Sequence, residues 1–244
     1  MFKLPKATLF IAPLVVSMVA SIGLTACFGE YRHDLIPANA STFMKAYDER
    51  AEDMREVLKG TNIVFDLSRF VDRRVPEAFS TFESHMVLHT YNPDRLPGNA
   101  PAFIRAVMDE TLGINKDVPN PEVREVLFEL RDIDMRILNG NFISGQFGRY
   151  YVRIEANVKV RNSQGVVLVD KPYEMKLETI RQSFSGHQPS ADEDWNDMSR
   201  TVKMAIHNLS FNIMNDTLHA AGQQIHAGEL KNNPQMLTPE AFAE

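Results

Sequence analysis

Tyr150-Tyr151-Val152-Arg153-Ile154-Glu155-Ala156-Asn157-Val158-Lys159-Val160-Arg161 decides the fold. Tyr150, Val152, Ile154, Ala156, Val158 and Val160 fall on one side of an extended chain. Tyr151, Arg153, Glu155, Asn157, Lys159 and Arg161 fall on the other. A sustained period of two is a strand with one apolar face. Asn162-Ser163-Gln164-Gly165 follows, a polar turn whose glycine suits positive φ. The chain then returns from Val166 to about Ile180, with Val167, Val169, Tyr173, Met175 and Leu177 sharing a face. Two long strands with one solvated side predict an antiparallel sheet covered on its other side.

The cover is expected from a long C-terminal helix. Ser190-Ala191-Asp192-Glu193 has the pattern of a capping box, in which the Ser oxygen takes an amide and the Glu carboxylate reaches back. Trp195, Met198, Val202, Ile206, Leu209, Ile213, Leu218 and Ile225 then recur at helical intervals. Residues 121–138 fit two patterns: a helix behind Asn120-Pro121, or a strand with a bulge near Arg131-Asp132. A hairpin alone is marginal and needs a third strand, which selects the strand.

Upstream, Ser41 is a candidate N-cap for a helix carrying Phe43, Tyr47, Ala51, Met54 and Leu58 on one face, with Gly60 as its stop. The charged residues between them read as a solvated face. Ile63, Phe65 and Leu67 alternate as in a half-buried strand. Residues 71–100 read as irregular, with a short strand at Met86–Thr90. Pro101 opens a helix lined by Phe103, Ile104, Val107, Met108 and Leu112, which Gly113 ends. The expected class is therefore α+β: a mixed or antiparallel sheet of about four strands with a long hairpin, covered on one face by helices.

The N-terminus sets the address. Lys3 and Lys6 precede an apolar run from about Ala7 to Leu24, too short for a comfortable membrane span and closed by small residues, as in a secretory signal. Leu24-Thr25-Ala26-Cys27 resembles the bacterial lipobox, and Cys27 is the one cysteine of the chain. The resemblance implies that Cys27 receives a diacylglycerol, that cleavage removes residues 1–26, and that the new amine is acylated. An Asp after such a cysteine tends to retain these proteins in the inner membrane. Phe28 stands there, which implies a periplasm-facing protein held in the outer membrane by acyl chains. Residues 27–41 are expected to be a tether of up to roughly 45 Å. Residues 42–226 form the single domain, and 227–244 a loose tail.

In the mature chain 24 basic residues face 32 acidic ones, a net charge of −8 that argues against nucleic acid as a partner. With Cys27 acylated, stability has to come from apolar burial rather than disulfides. His85 and His89 have the spacing of a helical zinc pair, but on a strand they stand about 13 Å apart and cannot share an ion. His207, His219 and His226 read as surface or partly buried structural residues. Gly-x-Ser-x-Gly, a Walker loop and a dinucleotide turn are missing from the sequence, so no catalytic residue, metal or cofactor is expected. Methionines at 198, 204 and 214 suggest core filling before an adaptable binding face.

The order of strand, helix, strand, hairpin and long helix behind a lipobox is similar to small periplasmic lipoproteins of the YajG type. It also resembles auxiliary lipoproteins of envelope ABC-transport systems, the PqiC and LptE-like folds. The likeness rests on Ile63–Phe70 followed by Asp72-Arg73-Arg74, the helix at 101–112, Tyr150–Leu177 and the helix at 191–225. It implies a non-enzymatic scaffold with an envelope protein partner, the alternative being a handler of lipid or lipopolysaccharide. Pro172 lacks an amide hydrogen and confines the return strand to an edge there, and Lys171 and Lys176 discourage added strands. Docking is expected instead on residues 71–100 or on the exposed side of the 191–225 helix.

Overall fold

The alternation of residues 150–161 builds the centre of a mixed sheet in the computed structural model, which describes residues 36–37, 40–75, 87–139, 148–181 and 190–222. All of these lie in one compact unit. Its strands are β1 (Ile36–Pro37), β2 (Ile63–Asp72), β3 (Val87–Thr90), β4 (Glu122–Leu138), β5 (Arg149–Arg161) and β6 (Val167–Ile180). Three helices accompany them: α1 (Ala40–Leu58), α2 (Ala100–Leu112) and α3 (Ala191–Ala220). The order across the sheet is β1-β6-β5-β4-β2, with β3 on the same side of β4 as β2. β4, β5 and β6 run antiparallel, β3 is antiparallel to β4, and β2 is parallel to β4.

Residues 122–138 are a strand. Their periodicity was ambiguous, and pairing on both sides settles it: β5 lies along one edge, β2 and then β3 along the other. The ladder to β5 shifts between Leu130 and Asp132, so a bulge sits at Arg131. That extra residue keeps Val126, Phe128 and Leu130, and beyond it Ile133, Met135 and Ile137, buried in the core.

The hairpin turn is closed by side chain as well as backbone. Asn162 Oδ1 accepts from the amides of Gln164 at 3.0 Å and Val166 at 2.8 Å, and Gly165 takes φ +78°. One expected core residue moves out. The ladder shifts between Val160 and Arg161, placing Val167 beside Arg161, and Val167 is left exposed.

Ser190 and Glu193 form the reciprocal capping box of α3, at 3.3 and 2.7 Å. The helix then runs between the sheet and the other two helices, touching β5, β6, α1 and α2. From Asp197 to Leu218 none of its residues is exposed. The free outer face expected for docking is therefore not there; α1 and α2 cover it. Met198, Met204 and Met214 are core residues.

α1 begins at Ala40, so Ser41 lies inside the helix and not at its cap. Ala51, Met54 and Leu58 face the core. Ile36–Pro37, expected in the tether, pair in parallel with Thr179–Ile180 at one end of β6. The remainder of β6, including Pro172, has only β5 beside it and is an edge among the described strands. Asn99, at φ 73°, caps α2 by accepting from the Ala102 amide at 3.1 Å, and Gly113 ends it. The expected signal peptide, most of the tether and the tail at 227–244 lie outside the described residues.

Candidate functional site

β4 is longer than either partner on its outer edge. β2 pairs with it as far as Leu130 and β3 begins only at Arg136. The last backbone bonds on either side run from the Arg73 amide to Leu130 O and from the Tyr91 amide to Met135 O, both 2.8 Å. Between them no strand of the described residues covers β4. A cleft of about 580 Å³ opens there, lined by Asp72, Arg74 and Val75 from the end of β2 onward, Thr90–Asp94 from the end of β3 onward, and Asp132–Arg136 of β4.

The walls are ordered by ion pairs. Arg74 bridges both sides, donating to Asp72 at 2.9 and 3.0 Å and to Asp94 at 2.9 Å. The hydrogen bond from Arg74 holds the Asp72 carboxyl below its ordinary range, against the opposing effect of burial. Asn92 Oδ1 accepts from the Asp94 amide at 2.9 Å and fixes the 3-10 turn Pro93–Arg95 that carries Asp94.

On the β4 wall, Arg153 of β5 donates to Asp132 at 2.6 Å and pairs with Glu155 at 3.2 Å. Arg136 Nε donates to Asp134 Oδ1 at 2.7 Å. Asp134 is 9% exposed, and its Oδ2 is a buried oxygen with no hydrogen-bond partner among the described residues. Val75, which lines the cleft, is 68% exposed, and Leu88 on β3 is 54% exposed.

Behind the 3-10 turn the cleft meets the start of α3. Tyr91 packs on Trp195 at 5.5 Å, and the Arg95 guanidinium lies 5.7 Å from the same ring centre. Asp194 accepts from Tyr150 at 2.6 Å and from Arg181 by two bonds of 2.7 and 2.6 Å. Burial, then the Asp194 charge, pushes the Tyr91 phenol up to about 12. This clamp fixes the N-terminal end of α3 to β5. At the other end Tyr173 donates to Asp216 at 2.7 Å, with Lys171 2.8 Å from the same carboxylate.

A second depression, about 420 Å³, lies on the outer face of the sheet. It is lined by Arg69, Arg73 and Lys159 with Glu129 and Asp170, and Lys159 is paired to Asp170 at 2.7 Å. Lys171 lines it too, which leaves basic groups in excess, and its charged side chains are exposed or half-exposed.

Cys27, His85 and His226 lie outside the described residues. His89 is exposed on β3, edge-on to Tyr91 at 4.6 Å, and His207 is buried against α2. Of the two regions named for docking from sequence, 71–100 contributes residues 72–75 and 90–94 to the outer walls of the cleft. Sequence reasoning alone assigns Asp132 and Asp134 no role at a site. The signal was there: Asp132, Asp134 and Arg136 alternate with Ile133, Met135 and Ile137, which is meaningful only once the segment is a strand.

No known family model matches the chain, and no curated protein does. A crystal structure of a "putative lipoprotein" from Caulobacter crescentus CB15 is similar to it at 10% identity and a TM-score of 0.31, over 74% of this chain and 98% of that one. A likeness at this level carries no argument about the site. Among the described residues no helix is long and apolar enough to cross a membrane.

Proposed function

We propose that this protein is a lipid-anchored accessory or scaffold component of a bacterial envelope assembly that acts by binding another protein. Cys27 carries the acyl chains, the domain faces the periplasm from the outer membrane, and the cleft beside β4 receives the partner. The reading needs no chemistry from the protein itself, and no catalytic residue is assigned.

One observation carries it. The hollow with ordered walls lies at a sheet edge and combines fixed charges with exposed Val75, as the rim of a protein interface does. The competing role, handling lipid or lipopolysaccharide, calls for an apolar concavity between sheet and helix. That layer is filled here by Phe128, Met135, Ile154, Val202, Ile206 and Leu209, each at most 1% exposed. The two cavities described above both lie elsewhere and are lined by charged groups.

A photo-crosslinking amino acid placed singly at Val75, Leu88, Asp170 and Lys176 tests this in cells. One discrete protein adduct at Val75 and Leu88, with little at the β6 edge, is the expected outcome. Adducts concentrated on β6 would move the interface to that edge. Adducts to lipid alone would favour the competing role.

A further inference from the structure

We infer that the cleft is built to take a cationic side chain, an arginine or lysine, from an extended segment of the partner polypeptide, and that Asp134 is its counter-charge. This rests on the partner-binding reading above and names what that partner presents.

Charge comes first. Asp72, Asp94, Asp132 and Asp134 meet in the cleft, and the arginines bonded to them are Arg74, Arg136 and Arg153. Arg74 serves two of the four carboxylates, and Arg153 also serves Glu155. The balance is negative. Asp134 Oδ2 is where the deficit is local: it is buried, it lacks a partner among the described residues, and Oδ1 of the same group is already bonded to Arg136. A buried carboxylate oxygen without a donor is costly, and an incoming guanidinium or ammonium removes that cost.

Backbone comes second, and it argues for a polypeptide. Residues 131–135 of β4 have no strand beside them on this edge among the described residues, although β2 and β3 pair immediately before and after. With Met135 O already taken by the Tyr91 amide, the free stretch is residues 131–134, about 13 Å at strand spacing and enough for about three extended residues to join the ladder. Val75, at the mouth, offers an apolar contact to a neighbouring side chain of the same segment.

Trp195 is the one tryptophan of the chain and touches Tyr91 of the cleft wall, so its emission reports on occupancy. The test uses full-length lipidated protein in detergent micelles and an acetylated Val-Thr-Arg-Thr-Val amide, with its citrulline counterpart as a neutral isostere. A saturable Trp195 change is expected for the arginine peptide, weakened about tenfold or more by citrulline. Asp134→Asn should weaken the arginine peptide by a similar factor, with the melting temperature reported alongside. The citrulline comparison on unmodified protein keeps the result decisive if that variant is unstable.

Equal binding of the two peptides, or no response to the arginine peptide, would overturn the inference. So would an Asp134-dependent response to magnesium or phosphoethanolamine alone, which would assign the site to an ion or a lipid headgroup. Protein adducts at Val75 without peptide selectivity would leave the scaffold reading standing and remove only the cationic anchor.

Discussion

His207 shows how burial fixes a protonation state. The residue is 2% exposed, its ring tilted at 43° to that of Tyr47 of α1 with centroids 4.1 Å apart and bonded through Nδ1 to the Thr111 hydroxyl of α2. Thr111 already donates its hydrogen to Val107 O at 2.8 Å, so the hydroxyl accepts from His207 and the imidazole carries its proton on Nδ1. Burial first, then Lys203 and Arg50, lowers the His207 pKa to about 3. An unfolded histidine titrates near 6.5, so on acidification the unfolded chain takes up a proton that the folded one refuses. The contribution of His207 is whole above about pH 6.5 and is lost as pH falls towards 3, by up to about 1.4 kcal/mol per unit. His207→Gln stays neutral and should lose about 1–2 kcal/mol less than wild type between pH 6.5 and 5 in urea unfolding. Parallel losses would show that His207 is not held neutral. The spacing of residues along α3 marks His207 as structural, but nothing local could show that its partner is Thr111, 96 positions away. The same limit hid the Tyr150–Asp194–Arg181 clamp, since Asp194 in a first helical turn reads as a favourable dipole contact and nothing more.

At the scale of elements, what could be read depended on whether the deciding contact is local. The β5 alternation, the Asn162–Gly165 turn and the α3 capping box each carry their cause within a few residues, and all three stand as expected. β4 and the surroundings of α3 do not. Residues 122–138 suit either periodicity, and only β2, β3 and β5 make them a strand. α3 looks amphipathic, yet α1 and α2 cover its polar side as well. Asn208 is buried there, its oxygen accepting from Arg50 of α1 at 2.6 Å. β5 offers a test of register. Ile154 is fully buried and pairs with Ile133 and Met175, so Ile154→Asp puts a carboxylate in the core at a cost of several kcal/mol, enough to unfold a domain of ordinary stability. Lys159 points to the other face, and its partner Asp170 is exposed. Losing that pair in Lys159→Glu should cost about 1 kcal/mol or less. Thermal melts that fell together for the two variants would mean the faces are wrongly assigned.

For the whole molecule, the question is how anchor and domain divide the work. The described domain begins at Ile36, so the tether proposed to follow a lipid-anchored Cys27 shortens to 28–35 from the expected 27–41. Eight residues reach at most about 28 Å when extended, well short of the 45 Å that the longer tether allowed. The anchor is a separate matter of hydrocarbon. A single acyl chain holds a protein only marginally and reversibly, whereas the three chains implied at Cys27 bury enough methylenes, at about 0.8 kcal/mol each, for near-permanent attachment. Cys27→Ser removes all of them. The expected outcome is loss of outer-membrane sedimentation, with the melting temperature of the domain unchanged, since the described domain begins only at Ile36. Phe28→Asp is the complementary change: it keeps the acyl chains and should shift the protein to the inner-membrane fraction. Separating the membranes on a sucrose gradient distinguishes the two variants. Unaltered outer-membrane fractionation of Cys27→Ser would defeat the lipid anchor, and Phe28→Asp remaining in the outer membrane would defeat only the sorting rule.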